Sequence, residues 1–168
     1  WRSETVRDAL DLCLSCKGCK TDCPVNVDMA TYKSEFLSHY YEGRIRPRAA
    51  YVMGLIHVWA RVGAMAPRLA NFVTRMPGLD RLLKLAGGIA PERPIPQFAT
   101  RPFTTWFRGE SRPVDTSRPK VILWADTFNN FFLPDTAVAA VQVLEAAGWR
   151  IEVPSHKLCC GRPLYDYG

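Results

Sequence analysis

The chain contains no secretory signal and no apolar run long enough to cross a bilayer. The most apolar stretch, Ala49 to Met65, includes His57 and Arg61 and is soon followed by Pro67, so we expect an amphipathic helix there. Without a secretory signal, the six cysteines are not expected to form structural disulfides. The 168 residues can hold one or two ordinary hydrophobic cores. All six cysteines lie in clusters typical of metal ligands, which favours a reducing, cytoplasmic setting.

Acidic residues are scarce in the middle of the chain. The net charge is +6, and residues 44 to 118 contain twelve Arg and one Lys against four acidic residues. These arginines are scattered among prolines and apolar residues and form no dense basic stripe, so we expect no nucleic-acid partner. An acidic partner domain or peripheral contact with an anionic membrane face explains the charge at least as well.

Four of the six cysteines lie within eleven residues, in the run CLSCKGCKTDCP from Cys13 to Pro24. Three evenly spaced cysteines let a tight loop wrap one iron–sulfur cubane. In the bacterial ferredoxin pattern, the fourth cysteine precedes proline and ligates a second cluster. The spacing therefore predicts that Cys13, Cys16 and Cys19 ligate one 4Fe-4S cluster and that Cys23 reaches toward another.

Other interpretations of the run fit less well. Zinc ligands typically come as two separated pairs, which this run does not contain. A spacing of three could also form a buried helical stripe, since free cysteine is commonly buried, but four cysteines so close together argue against it. Lys17 and Lys20 lie within the run, and we expect them to offset the negative charge of a thiolate-ligated cluster.

The pattern predicts an α+β chain in three parts, of which the first is residues 1–45. A helix over residues 3–12, with Ser3 as N-cap, leads into the cysteine run. A second helix follows from Met29 to Tyr41, with Asp28 as its cap and Gly43 as its end. This order of helix, cysteine loop and helix is that of half of an all-helical ferredoxin module.

The second part, residues 46–112, is predicted to be a helical linker rich in proline and aromatic residues. After the amphipathic helix, two short helices are predicted at Leu69–Met76 and Leu79–Leu85. Pro91 to Arg112 contains four prolines and four large aromatic residues, which predicts little regular structure. We interpret this segment as a strap that lies across another surface.

The last part, residues 113–168, changes to an α/β pattern. The predicted elements are a buried strand Lys120–Ala125, a helix Pro134–Ala147 and a second strand Trp149–Pro154. A strand, helix and strand in this order imply a right-handed parallel crossover, with ligand loops at the carboxyl ends of the strands. Those loops are residues 126–133 and 155–168.

Cys159 and Cys160 lie in the second of these loops, in the sequence CCGRPLY. Adjacent cysteines suit a simple tetrahedral site poorly, and a disulfide between them is strained. The pair therefore indicates either redox chemistry or a cluster that shares thiolates. The plainer alternative is two small buried residues in a turn.

The two cysteine motifs together resemble the iron–sulfur portion of FAD-binding and iron–sulfur oxidoreductases of the D-lactate or D-2-hydroxyglutarate dehydrogenase type. They are similar also to the glycolate oxidase iron–sulfur subunit and other relatives with CCG domains. The likeness extends to residues 28–36, 46–49 and 126–132. It implies an all-α ferredoxin-like half module, a helical linker, and an α/β (βαβ) half module of the CCG type.

The resemblance also implies a function. In a flavin-linked 2-hydroxy-acid dehydrogenase, FAD in a flavin domain of the same parent chain takes a hydride from the substrate. Electrons then leave singly through 4Fe-4S clusters toward an acceptor. The chain begins with Trp1 and its last motif runs to Gly168, so we expect an internal piece that is not catalytic alone. The flavin domain and the acceptor are the expected partners, at the cytoplasmic face of the membrane.

Two features depart from the family pattern. In CCG modules a further cysteine lies upstream of the pair. This chain has Thr127 at that position, and a threonine hydroxyl cannot replace a thiolate. Cys23 lacks an upstream run to complete its own cluster, so it could instead close the cluster of the other three cysteines. The alternatives are a thiol/disulfide reductase subunit that acts through Cys159 and Cys160, and a structural interaction module with a metal site.

Overall fold

The computed structural model describes residues 1–110, 115–156 and 158–168. The chain divides into two compact units: unit 1 is Trp1–Leu55 with Gly161–Gly168, and unit 2 is Ile56–Cys160. Of the two predicted boundaries, the one between residues 112 and 113 lies outside the described residues. The three-part division by function stays a prediction.

Helices dominate the described residues, with one small parallel sheet, which is consistent with an α+β chain. The elements are α1 Glu4–Asp11, α2 Gly18–Asp22, α3 Met29–Tyr40, a π-helical turn Ala50–Gly54, α4 Ile56–Gly63, α5 Pro67–Arg75, α6 Leu79–Gly87, α7 Phe103–Gly109, β1 Lys120–Ile122, α8 Thr127–Phe131, α9 Pro134–Ala146, β2 Arg150–Glu152 and α10 Arg162–Asp166. No helix in the described part of the chain is long and apolar enough to cross a membrane.

The helix ends of unit 1 follow the predicted caps. The Val6 amide donates to Ser3 Oγ at 3.4 Å, and the Thr31 amide donates to Asp28 Oδ1 at 3.0 Å. Gly43, just after α3, has a φ of 71°, a conformation that glycine adopts without steric cost. The buried core between α1 and α3 consists of Leu10, Phe36, Leu37 and Tyr40.

The last eight residues belong to unit 1, where α10 packs against α3 and the π-helical turn. Tyr165 Oη donates to Thr31 Oγ1 at 2.6 Å, and the Arg46 guanidinium donates to the Tyr167 carbonyl. A Cβ added to Gly54 would lie 3.3 Å from the Tyr167 ring, so the backbone passes close beneath the ring. The prediction of residues 155–168 as a loop was therefore wrong over Arg162–Asp166.

Unit 2 has its core where α7 and α9 pack beside the sheet. Phe103 and Val141 are fully buried, and Ile151 of β2 packs against this core together with Leu123, which directly follows β1. The two strands pair in parallel with Val121 opposite Ile151, as predicted from the strand, helix and strand order. Ile122 is nevertheless 62% exposed, so the prediction of a buried strand was wrong at this position.

Three further predictions of local structure were wrong. The single helix expected from Ala49 to Met65 is interrupted at Leu55, between the π-helical turn and α4. Within Pro91–Arg112, where little regular structure was expected, residues 103–109 form α7. Residues 126–133 contain α8, because the Asp126 carboxylate caps it by accepting the Phe128 and Asn129 amides at 2.7 and 3.1 Å.

The predicted strap is anchored on the helices of unit 2 at Phe98. The side-chain amide of Asn71 donates from Nδ2 to the Phe98 carbonyl, and the Phe98 backbone amide donates to Asn71 Oδ1, both at 2.8 Å. The Phe98 ring lies so close to Gly63 that an added Cβ would meet it at 2.4 Å. The surface that this part of the strap covers is thus within the same unit.

Candidate functional site

The predicted cluster ligands of unit 1 lie between α1 and α3. Cys13 and Cys16 are in the loop after α1, Cys19 is within α2, and Cys23 is the residue at which α2 ends. The thiol of Cys16 is exposed and the other three are half-buried, and all are free. The predicted order of helix, cysteine loop and helix is confirmed, with α2 as an added short helix inside the run.

The backbone turns sharply on both sides of Cys16. Ser15 and Lys17 have φ values of 51° and 62°, in the left-handed region that side chains other than glycine seldom adopt. Ser15 is only 3% exposed, and its Oγ has no hydrogen-bond partner among the described residues. Because a buried hydroxyl without a partner is costly, Ser15 indicates that this loop accommodates a further polar group.

Backbone amides near the Cys23 sulfur favour its ionised form. Hydrogen bonds from the Val27 and Val25 amides, with a smaller contribution from Asn26, lower the pKa of the Cys23 thiol below its ordinary value. Asn26 has a φ of 54°, which turns the chain so that successive amides face the sulfur. Cys23 is therefore disposed to be a thiolate, the form that ligates metal.

The lysines of the run lie near one carboxylate. Lys17 Nζ is 3.4 Å and Lys20 Nζ 3.9 Å from Asp28 Oδ2. The Thr31 amide and the Lys17 charge lower the pKa of Asp28. The Lys17 ammonium also lies 5.1 Å from the centre of the Tyr165 ring. The charges of both lysines are thus shared with Asp28, in addition to the expected role of offsetting a cluster.

Two other cations hold the loop by its main chain. Lys33 on α3 donates from Nζ to the Cys13 carbonyl at 2.8 Å, and Arg162 on α10 donates from Nη2 to the Leu14 carbonyl at 2.6 Å. No pattern in the sequence indicates a functional role for either residue. Lys33 also lines a cleft of about 510 Å³ that opens beside Cys13, together with Arg7, Asp11 and Tyr41.

The structure does not gather the thiols into a closed metal site. Within residues 1–110, 115–156 and 158–168, no group of three or more His, Cys, Asp or Glu side chains is arranged to hold a metal ion. The residues nevertheless suit an iron–sulfur cluster chemically, because four thiols, the buried Ser15 hydroxyl and nearby cations surround one loop. The assignment of Cys13, Cys16, Cys19 and Cys23 as ligands stays a prediction.

The cysteine pair of the second motif lies in unit 2, after β2. Cys159 is half-buried, Cys160 is exposed, and both are free. Just before them, the Trp124 indole donates to the Leu158 carbonyl at 3.2 Å, while Lys157 is outside the described residues. Thr127, at the position expected for a further family ligand, is buried in the first turn of α8. The role of this pair as a second metal site also stays a prediction.

The known proteins to which this chain is similar are named as dehydrogenases. The chain is 24% identical to D-2-hydroxyglutarate dehydrogenase of Escherichia coli K12 over 88% of its length, and 27% identical to the Pseudomonas putida KT2440 protein of that name over 99%. It is 26% identical over 60% of its length to a subunit of anaerobic glycerol-3-phosphate dehydrogenase of Escherichia coli K12. The chain is related to oxidoreductases.

The alignments cover only part of each relative. The chain spans 15% and 17% of the length of the two D-2-hydroxyglutarate dehydrogenases and 25% of the glycerol-3-phosphate dehydrogenase subunit. No family model matches the sequence. No solved structure matches it either.

Proposed function

We propose that this chain is the iron–sulfur electron-transfer segment of a flavin-linked 2-hydroxy-acid dehydrogenase. The observation that carries the proposal is the cysteine run, which lies in a loop lined by amide donors, a buried hydroxyl and cations. Four relatives are named D-2-hydroxyglutarate dehydrogenase, which favours a 2-hydroxy acid as substrate of the parent enzyme.

In this proposal Cys13, Cys16 and Cys19 hold one 4Fe-4S cluster, and Cys23 either completes it or ligates a second cluster. A bound cluster accepts and passes on single electrons without making or breaking bonds in the substrate. The thiolates supply ligands, and the Cys23 amide donors favour its ionised form. FAD and the substrate pocket belong to a flavin domain of the parent protein, and the segment alone is not catalytic.

Iron analysis tests the proposal directly. After anaerobic reconstitution with iron and sulfide, we expect about four iron and four acid-labile sulfide per chain for one cubane, with a paramagnetic signal on reduction. Up to twice that content would indicate a second cluster. A colourless protein that holds only stoichiometric zinc would contradict the proposal and favour the structural interaction module.

Thiol chemistry is a second candidate function, favoured by the exposed Cys160 beside Cys159. A thiol/disulfide reductase site needs one thiolate that reacts fast near neutral pH. Alkylation of the metal-free protein, mapped residue by residue by mass spectrometry, distinguishes the two. We expect Cys23 to react fastest because its pKa is lowered; faster labelling of Cys159 or Cys160 would favour the reductase.

We also propose a peripheral contact between unit 2 and an anionic lipid surface at the cytoplasmic face of the membrane. Helix α5 exposes Leu69 at 62% and Phe72 at 61%, and the turn between α4 and α5 exposes Met65 at 85%. Helices α4 to α6 contain four arginines, and their one acidic residue, Asp80, pairs with Lys84 at 2.7 Å. Apolar side chains with arginines but little acidic charge are typical of interfacial helices.

Vesicle sedimentation tests this contact. We expect the protein to sediment with vesicles that contain phosphatidylserine, to do so less at high salt, and to be released by Phe72→Ser. Equal recovery in the supernatant with and without anionic vesicles would exclude the contact.

A further inference from the structure

Lys33 is a buried cation without an anionic partner in the described part of the chain. Only 8% of the residue is exposed, and its Nζ donates to the Cys13 carbonyl at 2.8 Å. Asp8, Asp11 and Asp166 line the same cleft as Lys33, but Asp8 pairs with Arg7 and Asp166 with Arg162, and no ion pair among the described residues includes the Lys33 ammonium group. Buried charges in proteins are normally paired, because an uncompensated charge away from water is costly. Lys33 thus indicates an anion that binds beside Cys13.

Arg162 reaches the next carbonyl of the same loop from another helix. Its Nη2 donates to the Leu14 carbonyl at 2.6 Å, while its Nε lies 3.1 Å from Asp166 Oδ2. The side chain is half exposed. A neutral donor could make either hydrogen bond to the loop. The use of two cations therefore adds positive charge beside the cysteine run.

We propose that Lys33 and Arg162 are positioning residues that hold residues 13–16 by the main chain and raise the reduction potential of a 4Fe-4S cluster bound there. This inference rests on the proposed function. Reduction adds a negative charge to a cluster that is already anionic, so a nearby cation favours the reduced state. The effect of Lys33 exceeds that of Arg162, because Lys33 is buried and Arg162 shares its charge with Asp166 and water.

A redox titration followed by paramagnetic resonance of the reconstituted protein tests the electrostatic role. We expect Lys33→Met to lower the midpoint potential most and Arg162→Gln less, while Arg162→Lys, which keeps the charge, stays near wild type. Arg2→Gln is the matched control, since Arg2 is an exposed residue of the same unit that precedes α1. If Lys33→Met does not fold, Lys33→Gln keeps a donor without the charge and takes its place. Potentials equal to that of Arg2→Gln would overturn the inference.

Hydrogen exchange of the metal-free protein tests the positioning role separately. Loss of one hydrogen bond to the loop is expected to speed exchange of the amides of residues 13–17 by about fivefold, the equivalent of about 1 kcal/mol. Arg2→Gln should leave their exchange unchanged, and exchange unaltered in Lys33→Met and Arg162→Gln would refute the positioning role. If wild-type protein takes up no iron and sulfide, the proposed function fails first and the electrostatic role fails with it.

Discussion

Units 1 and 2 both carry cysteines next to short helices, but the backbone around the cysteines is held in different ways. In unit 1, charged side chains from α3 and α10 bind the carbonyls of Cys13 and Leu14. In unit 2, the pair follows β2, and the nearest described anchor is the neutral Trp124 indole on Leu158. The unit 1 loop is thus held by two cations next to its cysteines, whereas in unit 2 the main-chain group nearest to the pair that a described cation binds is the Ser155 carbonyl, to which Arg108 donates at 3.2 Å.

The apolar cores of the two units differ in how completely they are buried. Unit 2 buries Phe103 and Val141 completely, while the core side chains of unit 1 are buried to between 4% and 8% exposure beside a polar cleft. Among the described residues both units bury polar side chains, two in unit 1 and four in unit 2, so the contrast lies in how completely the apolar core is buried. The predictions below test this contrast.

Replacement of the cysteines of each unit should give the largest difference. We expect Cys16→Ser with Cys19→Ser to remove nearly all reconstituted iron and sulfide, because two thiolates of one cubane are lost. Cys159→Ser with Cys160→Ser should keep most of the wild-type content. Iron and sulfide analysis per chain measures both. Loss of iron and sulfide only in the Cys159→Ser, Cys160→Ser variant would indicate that the metal site is in unit 2.

Truncation of the unit 2 core should destabilise the protein strongly. Phe103→Ala is expected to cost about 3–5 kcal/mol of unfolding free energy, because it leaves a cavity among fully buried side chains. Phe72→Ala, at a residue that is 61% exposed, should change it by about 0.5 kcal/mol or less. Urea unfolding followed by circular dichroism provides the comparison. Equal costs would show that the core does not centre on Phe103.

Loss of the two hydrogen bonds between Asn71 and Phe98 should have an intermediate effect on the free energy of unfolding. Asn71→Ala leaves the Phe98 amide and carbonyl without their partner, which is expected to cost about 1–3 kcal/mol. Asn71→Asp keeps the acceptor for the Phe98 amide and should cost less. Urea unfolding measures both variants, with proteolysis of residues 91–102 as a local readout. A strap that is no more easily cleaved in Asn71→Ala would contradict this anchor.

The smallest effect concerns acid stability. The pKa of Asp28 is lowered in the folded chain, so its contribution is present above the ordinary pKa of 3.8 and is lost as pH falls through the folded value. Asp28→Asn should therefore flatten the loss of thermal stability between about pH 5 and about pH 3. Glu152→Gln is the matched variant in unit 2, where Lys120 lowers the pKa of Glu152. If the melting temperatures of both variants fall with decreasing pH as steeply as that of the wild type, this assignment is contradicted.

Local signals in the sequence predicted much of the fold. Caps at Ser3 and Asp28, and the strand, helix and strand order around α9, depend on neighbouring residues, and the structure confirms them. Helix α8 was missed although Asp126 is a good N-cap, because the short run after it looked like a ligand loop. Helix α7 was missed because the prolines around it suggested irregular structure.

The surroundings of the candidate site could be predicted only in part. The cysteine spacing identifies the ligand candidates, but Arg162 reaches Leu14 across 148 residues of sequence, and no local pattern encodes such a contact. Lys33 occupies a position on the apolar stripe of α3, where a lysine looks like an ordinary boundary residue. Its buried ammonium group becomes visible only once the packing of the helix is known.

Because unit 1 consists of the first 55 residues and the last eight, it cannot be completed until all of Ile56–Cys160 has been synthesised. At about 5–20 residues per second, that interval is on the order of ten seconds on the ribosome. During this time the nascent thiols lack the guanidinium that later binds Leu14. We therefore expect cofactor insertion to follow synthesis of α10. A single cleavage after Leu55 would separate the first part of unit 1 from that helix.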